Sequence, residues 1–393
     1  MARAVRKWFS GSPRPSSEEG DTVRSAFSRS SRNTYLGTDY DTVRADAEAG
    51  ESREVVAALR AAVRARDHRK ASQIIEAHPE ISLMHDASML CTAVRRADED
   101  MVQILLKSGF DPNRHDYRGH QGRMRTPLME AAKGSWVPGI RLLASYGARL
   151  NDVDDAGASA LQLAVRKNAV EATLALLRLG ASSDAPKQLE HAIAPLHEAS
   201  SDEVTSALIG FNADLNARDR QDLTPIHFHI RSGALDQARL LVNAGANLNL
   251  RDRLGRPPVF YWYTKVDVTQ WASRTLSDLW EDEFAKIPES RFRTRHDAVS
   301  VMLANHSDSV CKEVEFAIRW IEWWSWKGGD LTVTDNAGDG FLHHFARRAV
   351  PGKTSEVVFM ALLVLYPSLA SAKGSDERIP SEIWALRKEK SAR

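Results

Sequence analysis

Thr224-Pro-Ile-His-Phe-His-Ile-Arg-Ser-Gly233, followed by Ala238-Arg-Leu-Leu-Val242, then by Gly245-Ala-Asn-Leu-Asn249 and Arg251-Asp252, is where the fold of this chain is written. Thr224 can cap the orphan amides of a helix, Pro225 suits its first turn, and the residues behind them predict a narrow, closely packed helix. Leu240, Leu241 and Val242 supply the buried stripe of a second helix. Gly245 can take the left-handed conformation that ends it, and the polar run from Asn249 to Gly255 turns the chain into a further unit as a short hairpin.

The same frame recurs along the chain. One copy runs Ser88-Met-Leu-Cys-Thr-Ala93, Val102-Gln-Ile-Leu-Leu106 and Gly109-Phe-Asp-Pro-Asn113; another runs Thr126-Pro-Leu-Met-Glu-Ala131, Leu142-Leu143 and Gly147-Ala-Arg-Leu-Asn151. A third has Ser159-Ala-Leu-Gln-Leu-Ala164, Leu176-Leu177 and Gly180-Ala181, and a fourth runs from Pro195-Leu-His-Glu-Ala199 to Asn212-Ala-Asp-Leu-Asn216. Ala62-Val63-Arg64 with Ile74-Ile75 reads as a worn first unit. This pattern resembles the ankyrin repeat, whose period is about 33 residues and whose first helix opens Thr-Pro-Leu-His. The resemblance extends from Ser52 to Ala385. It implies an all-α ankyrin-repeat α-solenoid, with helix-turn-helix units and short hairpin fingers whose concave face binds partners.

After Gly255 the frame breaks. Pro257-Pro258-Val259-Phe260 can start another inner helix with Ala298 to Leu303 as its partner, which leaves residues 265–296 as an insertion. Gly328-Gly-Asp330 and Asp335 to His343 restore the frame, and Ile379-Pro-Ser-Glu-Ile-Trp-Ala385 reads as a half-repeat closing the stack. The expected organisation is a disordered Ser/Arg-rich tail over 1–50 and ankyrin repeats over 51–256. A degenerate repeat with a Trp-rich insertion follows over 257–328, then a C-terminal repeat and capping half-repeat over 329–393.

Composition narrows the function classes. The 393 residues are 43% hydrophobic and 27% charged with a net charge of +1, which excludes fibrous and wholly disordered proteins and any attachment to nucleic acid or membrane by net charge alone. Two cysteines, Cys91 and Cys311, allow neither a disulfide framework nor a thiolate zinc site, and fit a reducing, intracellular setting in cytoplasm or nucleus. The longest apolar run, Val357 to Tyr366, is about half of the ~20 residues a membrane-spanning helix needs. Arg3, Arg6, Lys7 and Arg14 make the N-terminus a basic tip, with an organelle presequence as the alternative. Serines beside arginines in the tail offer phosphorylation-controlled docking.

Catalytic constellations are not encoded: there is no Gly-x-Ser-x-Gly and no His-Glu-x-x-His, and Gly352-Lys353-Thr354 has Arg347 where a phosphate loop needs its first glycine. The expectation is a non-enzymatic binding module without cofactor or metal. His197, His227 and His343 fall on the histidine position of the repeat and are expected to bond between units. The pairs His227/His229 and His343/His344 do not share a helix face and so make poor metal ligands.

Aligning the repeats produces a basic column at the end of each inner helix: Arg64, Arg95, Lys133, Arg166, Arg231 and Arg347, doubled at Arg96, Lys167 and Arg348. Arg114, Arg118, Arg123 and Arg125 surround one finger, and Arg218-Asp219-Arg220 and Arg251-Asp252-Arg253 mark two others, with Asp152, Asp154 and Asp155 making one finger acidic. A basic groove for an acidic or phosphorylated protein segment is the functional reading, because the arginine fork pairs bidentately with carboxylate and phosphate. Simple preference for cations at helix C-termini is the competing one. Nucleic-acid binding through the same column, and an enzyme or small-molecule domain within 257–328, are the alternatives. Seven of the ten tryptophans lie between residues 262 and 326. Trp320, Trp323 and Trp324 share one helical face and read as core, whereas Trp326 lies off that stripe and is expected to be exposed.

Overall fold

A computed structural model of the chain describes residues 50–83, 87–116, 124–184, 193–262, 278–288, 299, 302–304, 306–349 and 352–392. Of the expected tail, residues 1–49, together with Trp271, Arg118 and Arg123, lie outside the described residues, and Gly50 begins the first helix. The chain divides between Met84 and His85 into two compact parts. Among the described residues all extended regular structure is helical, apart from isolated antiparallel bridges at Asp116–Arg125, Val153–Ser159 and Thr334–Gly340, each at the base of a finger.

The N-terminal part is a helix pair, α1 (Gly50–Ala65) and α2 (His68–Ala77), followed by a 3-10 turn over Pro79–Leu83. The Asp67 carboxylate caps α2 by accepting from the Lys70 amide at 2.9 Å. Leu59, Ala62, Val63, Ala71, Ile75 and Ile81 are buried, as the worn first unit requires.

The C-terminal part repeats the quoted frame. Repeat 1 is α3 (Ser88–Arg95) and α4 (Glu99–Lys107), repeat 2 is α5 (Pro127–Lys133) and α6 (Val137–Ser145), and repeat 3 is α7 (Ala160–Arg166) and α8 (Val170–Arg178). Repeat 4 is α9 (Pro195–Glu198) and α10 (Asp202–Gly210), its inner helix cut to four residues by the shortened spacing; repeat 5 is α11 (Pro225–Ser232) and α12 (Leu235–Asn243). Inner helices pack on inner helices and outer on outer, giving two layers around a core of Leu, Ala, Val and Ile. Gly245 takes φ +95°, as its place at the end of α12 demands.

Two hydrogen-bond ladders tie the repeats together. In the first, the fourth residue of the frame donates to the carbonyl just before the next repeat's helix cap. His197 Nε2 reaches Leu223 O at 3.1 Å, His227 Nε2 reaches Arg256 O at 3.2 Å, and His343 Nε2 reaches Arg378 O at 3.1 Å. Gln162 makes the same bond to Ile193 O, and the Cys91 thiol makes a weak version to Arg125 O at 3.9 Å. Met129 and Phe260, which have no donor, are the exceptions. His229 points the other way and donates to Leu196 O at 3.0 Å, so adjacent histidines serve opposite neighbours as their spacing predicts.

The second ladder runs between fingers. The side-chain oxygens of Asn113, Asn151, Asp184, Asn216 and Asn249 accept from the amides of Arg149, Ser182, Asp214, Asn247 and Asp330 at 2.6, 2.8, 3.0, 2.9 and 2.8 Å. The first four steps span 30 to 36 residues and the last spans 81, so about fifty residues are inserted into a single repeat.

That ladder also corrects an expectation. Repeat 6 opens with a 3-10 turn, Pro258–Tyr261, and ends with α14 (Asp308–Trp326), which leads into Gly328 at φ +95° as the outer helices of repeats 1, 2, 3 and 5 lead into Gly109, Gly147, Gly180 and Gly245. Its outer helix is therefore α14, not the stretch 298–303. An extra helix, α13 (Asp278–Ala285), is wedged between α12 and α14, with Asn243 donating to Glu283 at 2.9 Å and Trp280 donating to Asp236 at 2.9 Å. Repeat 7 is α15 (Phe341–Arg348) and α16 (Lys353–Leu365), followed by α17 (Pro367–Ala370) and the closing α18 (Pro380–Ala392).

The finger tips of repeats 4 to 6 are bonded to one another: Arg253 N donates to Gln221 O at 3.1 Å and Asn336 N to Leu254 O at 3.0 Å. Gly255, at φ +77°, lies where a Cβ would meet the Asn336 backbone nitrogen at 2.8 Å and its side chain closer still. Gly255→Ala is expected to cost about 1–3 kcal/mol by strained backbone and lost tip contact, read as a fall in melting temperature. An unchanged melting temperature would show that the tips do not bear on one another.

Candidate interaction face

The inner helices and fingers place the basic column, and the structure sorts its members by what holds them. Arg95 pairs with the buried Asp116 at 2.8 Å, and Arg166 pairs with Glu198 of the next repeat at 2.7 Å. Arg347 pairs with Asp339 and, at 3.2 Å, with Asp376. Arg231 lies over the Phe228 ring, its guanidinium carbon 4.8 Å from the centroid. Arg64 is exposed at the end of α1, and Arg96 is exposed at the end of α3. Among the described residues Lys133, half-buried, and Lys167, exposed, pair with no carboxylate.

On the fingers, Arg218 and Arg253 share Asp222 at 3.8 and 3.6 Å, Arg251 donates to Thr334 O at 3.4 Å, and Arg220 is exposed with no acid partner among the described residues. Arg125, grouped with the finger cations by sequence, is instead 5% exposed and held between Asp154 at 3.4 Å and Glu130 at 3.6 Å. It belongs to the core: a charge that deep stays only where it is paired.

The finger aspartates have a building role that sequence reasoning missed. In Asp154, Asp219, Asp252 and Asp335, Oδ1 accepts from the amides two and four residues on, at 2.8 to 3.0 Å, and so closes the turn. Oδ2 of three of them is left for a cation or donor: Arg125 on Asp154, Arg256 on Asp252 at 2.7 Å, and His344 on Asp335 at 2.8 Å. The fixed distance from each Asp to the next helix cap was the available signal. Asp335, Asp339 and His344 bring ligand-type atoms within 4.8 Å of one another. Their oxygens already serve backbone amides, His344, Arg347 and Ser375, so the cluster reads as a closed polar knot.

Burial sets the protonation of His197, His227 and His229. It lowers His197 below the ordinary imidazole range and pushes His227 and His229 down to about 4. Neutral rings are what the ladder needs. His227 Nδ1 accepts from the Thr224 amide at 3.1 Å while its Nε2–H donates across the repeat boundary.

The tryptophans pack on one another. Trp262 stacks on Trp320 with centroids 4.9 Å apart, Trp320 on Trp324 at 5.3 Å, and Trp280 meets Trp323 edge-on at 5.2 Å. Trp320, Trp323 and Trp324 are core, as their shared face predicts; Trp326 is half-buried under the Lys327 ammonium, 4.9 Å from its ring centroid.

Comparison with known proteins places these features. The family model "Ankyrin repeats (3 copies)" matches residues 89–187, and the single "Ankyrin repeat" matches 221–253. Human cyclin-dependent kinase inhibitor 2A is 36% identical over 100 residues, and its counterpart from Monodelphis domestica is 32% identical over 97. These alignments take in 25% and 24% of this chain, and the chain spans 64% and 57% of those relatives. The crystal structure of the ankyrin repeat domain of Bcl-3, described as a member of the IkappaB protein family, aligns with TM-score 0.47 at 22% identity, over 52% of this chain and 93% of that one. Ankyrin repeats are protein–protein interaction modules rather than enzymes, and no helix among the described residues is long and apolar enough to cross a membrane. With two inter-repeat ladders in one register and family models matching on either side of repeat 4, this chain carries ankyrin repeats.

Proposed function

We propose that this protein is a non-enzymatic scaffold, working inside the cell, that holds a protein partner by an acidic or phosphorylated segment on the face made by its inner helices and fingers. The observation that carries this is the set of cations on that face left without an acid among the described residues. Arg95, Arg166 and Arg347 are spent on neighbouring carboxylates, but Lys133, Lys167 and Arg220 are not. Unpaired cations at successive repeats can meet a negative segment without first breaking an internal ion pair. Two relatives are named as inhibitors of cyclin-dependent kinase, which is a protein target.

The paired arginines are poor test positions, since a glutamate at 95 or 166 would face Asp116 or Glu198 and weaken the fold itself. Lys133→Glu, Lys167→Glu and Arg220→Glu together are expected to weaken partner capture by tenfold or more with the melting temperature within a degree or two. The full-length chain and the triple variant serve as parallel baits, and bound proteins are identified by mass spectrometry. Equal recovery by both baits would discard this face as the site. Recovery of nucleic acid that falls steeply with salt would favour the nucleic-acid reading instead.

A further inference from the structure

Repeats 5, 6 and 7 bring three arginines to one tyrosine. The first helix of repeat 6 is a four-residue turn where α11 has eight residues, and Tyr261 ends it. Arg231, from α11, has its guanidinium carbon 5.7 Å from the Tyr261 ring centroid, and that of Arg256 lies 4.8 Å from the same centroid. Arg348, at the end of α15, is exposed; α15 packs on the same turn, with the Phe260 and His344 ring centroids 4.7 Å apart, and the charges of Arg256, Asp252 and Asp335 act on Arg348. Its neighbour Arg347 is taken up by Asp339 and Asp376.

Asp252 and Asp335 are occupied by groups within their own repeats. Asp252 accepts two amides on Oδ1, and on Oδ2 it accepts the Arg256 fork, at 2.9 and 2.7 Å, together with the Tyr261 hydroxyl. Asp335 accepts two amides and the His344 ring, and Oδ1 of Asp219 accepts two amides. Among the described residues no carboxylate pairs with Arg348. Burial, and after it repulsion from Arg256, lower its pKa, against the raising influence of Tyr261, Asp252 and Asp335. His344 and Tyr261 do not change this balance: burial holds the imidazole neutral and keeps the phenol protonated.

We propose that Arg348, with Arg231 and Arg256, binds a phosphomonoester dianion carried on a phosphorylated side chain of the protein partner. This rests on the scaffold reading above and names the ligand at one end of the same face. A phosphomonoester fits better than a carboxylate because its two charges and three terminal oxygens can engage more than one guanidinium fork at once. Arg231 and Arg256 are already oriented by the aromatic rings and by Asp252, so the ligand orders few side chains on arrival.

The test uses the full-length chain and three probes at constant ionic strength: inorganic phosphate, a library of phosphoserine peptides, and the same peptides unphosphorylated. The arginine Nε–Hε resonances of Arg231, Arg256 and Arg348 are expected to shift with phosphate and phosphopeptide but not with chloride. Arg348→Gln should reduce phosphopeptide binding about tenfold without loss of melting temperature, and Arg348→Lys should restore part of it. Tighter binding of phosphopeptides than of inorganic phosphate assigns the site to a partner's side chain; equal affinity for the two overturns that source. Unshifted resonances, or Arg348→Gln binding like wild type, overturn the site. If partner capture is lost in the Lys133/Lys167/Arg220 triple variant but kept in Arg348→Gln, the scaffold reading stands and this inference falls.

Discussion

Lowering the pH from 6.5 to 4 is expected to remove on the order of 3 kcal/mol of folding stability for each of His227 and His229. Both imidazoles are pushed down to about 4 by burial, against 6.5 for the free side chain. The unfolded chain therefore takes up these protons before the folded one does. Stability is fully present above pH 6.5, falls as the pH drops through the window, and loses nothing further from these groups below 4. His197 and His344, also lowered by burial, act in the same direction.

Such a loss is comparable with the whole stability of an ordinary domain, so acid unfolding of the affected repeats is expected near pH 5. The check is a series of urea titrations between pH 7.5 and 4.5. Repeat 3 supplies the control, because Gln162 Oε1 accepts from the Ser159 amide at 2.9 Å and its Nε2 donates to Ile193 O, reproducing both bonds of His227 without a titrating proton. His227→Gln should keep most of the neutral-pH stability and flatten the pH dependence by about half. A flat profile in wild type would sink the argument.

Trp320→Ala is expected to cost about 3–5 kcal/mol. The ring is 0% exposed, sandwiched in a run from Trp262 to Trp324, and its removal leaves a cavity where repeat 6 meets its inner turn. In a stacked array each repeat is supported mainly by its neighbours, so the loss should appear first as separate melting of repeats 6 and 7. Calorimetry would then show two transitions where wild type has fewer. Trp320→Phe should cost much less, since the Trp320 Nε1 has no hydrogen-bond partner to lose. Similar melting of wild type and Trp320→Ala would mean that the stack is not what joins the insertion to the array.

The column of cations was legible because a repeat shows equivalent positions side by side, and the histidine position was legible for the same reason. Which cations are free was not. Arg95 and Lys133 occupy one register, yet Asp116 closes on the first and nothing among the described residues closes on the second. Arg256 and Tyr261 went unnoticed because a truncated inner helix erases the frame that would have drawn attention to them. The tight turns between helices hid in the same way: among the described residues their left-handed residues are Arg66, Ala97, Ser135 and Asn168, and only once a glycine, Gly233.

By itself the sequence determined the repeat, its period, and the paired helices of every unit but the sixth. These follow from local propensities and apolar spacing, which act within some 33 residues. Only the tertiary structure decided that α14 is the outer helix of repeat 6, that Arg125 is core, and that three arginines from three repeats gather at Tyr261. Each depends on contacts between residues far apart in the chain, and a charge acquires its meaning from the groups that fold against it.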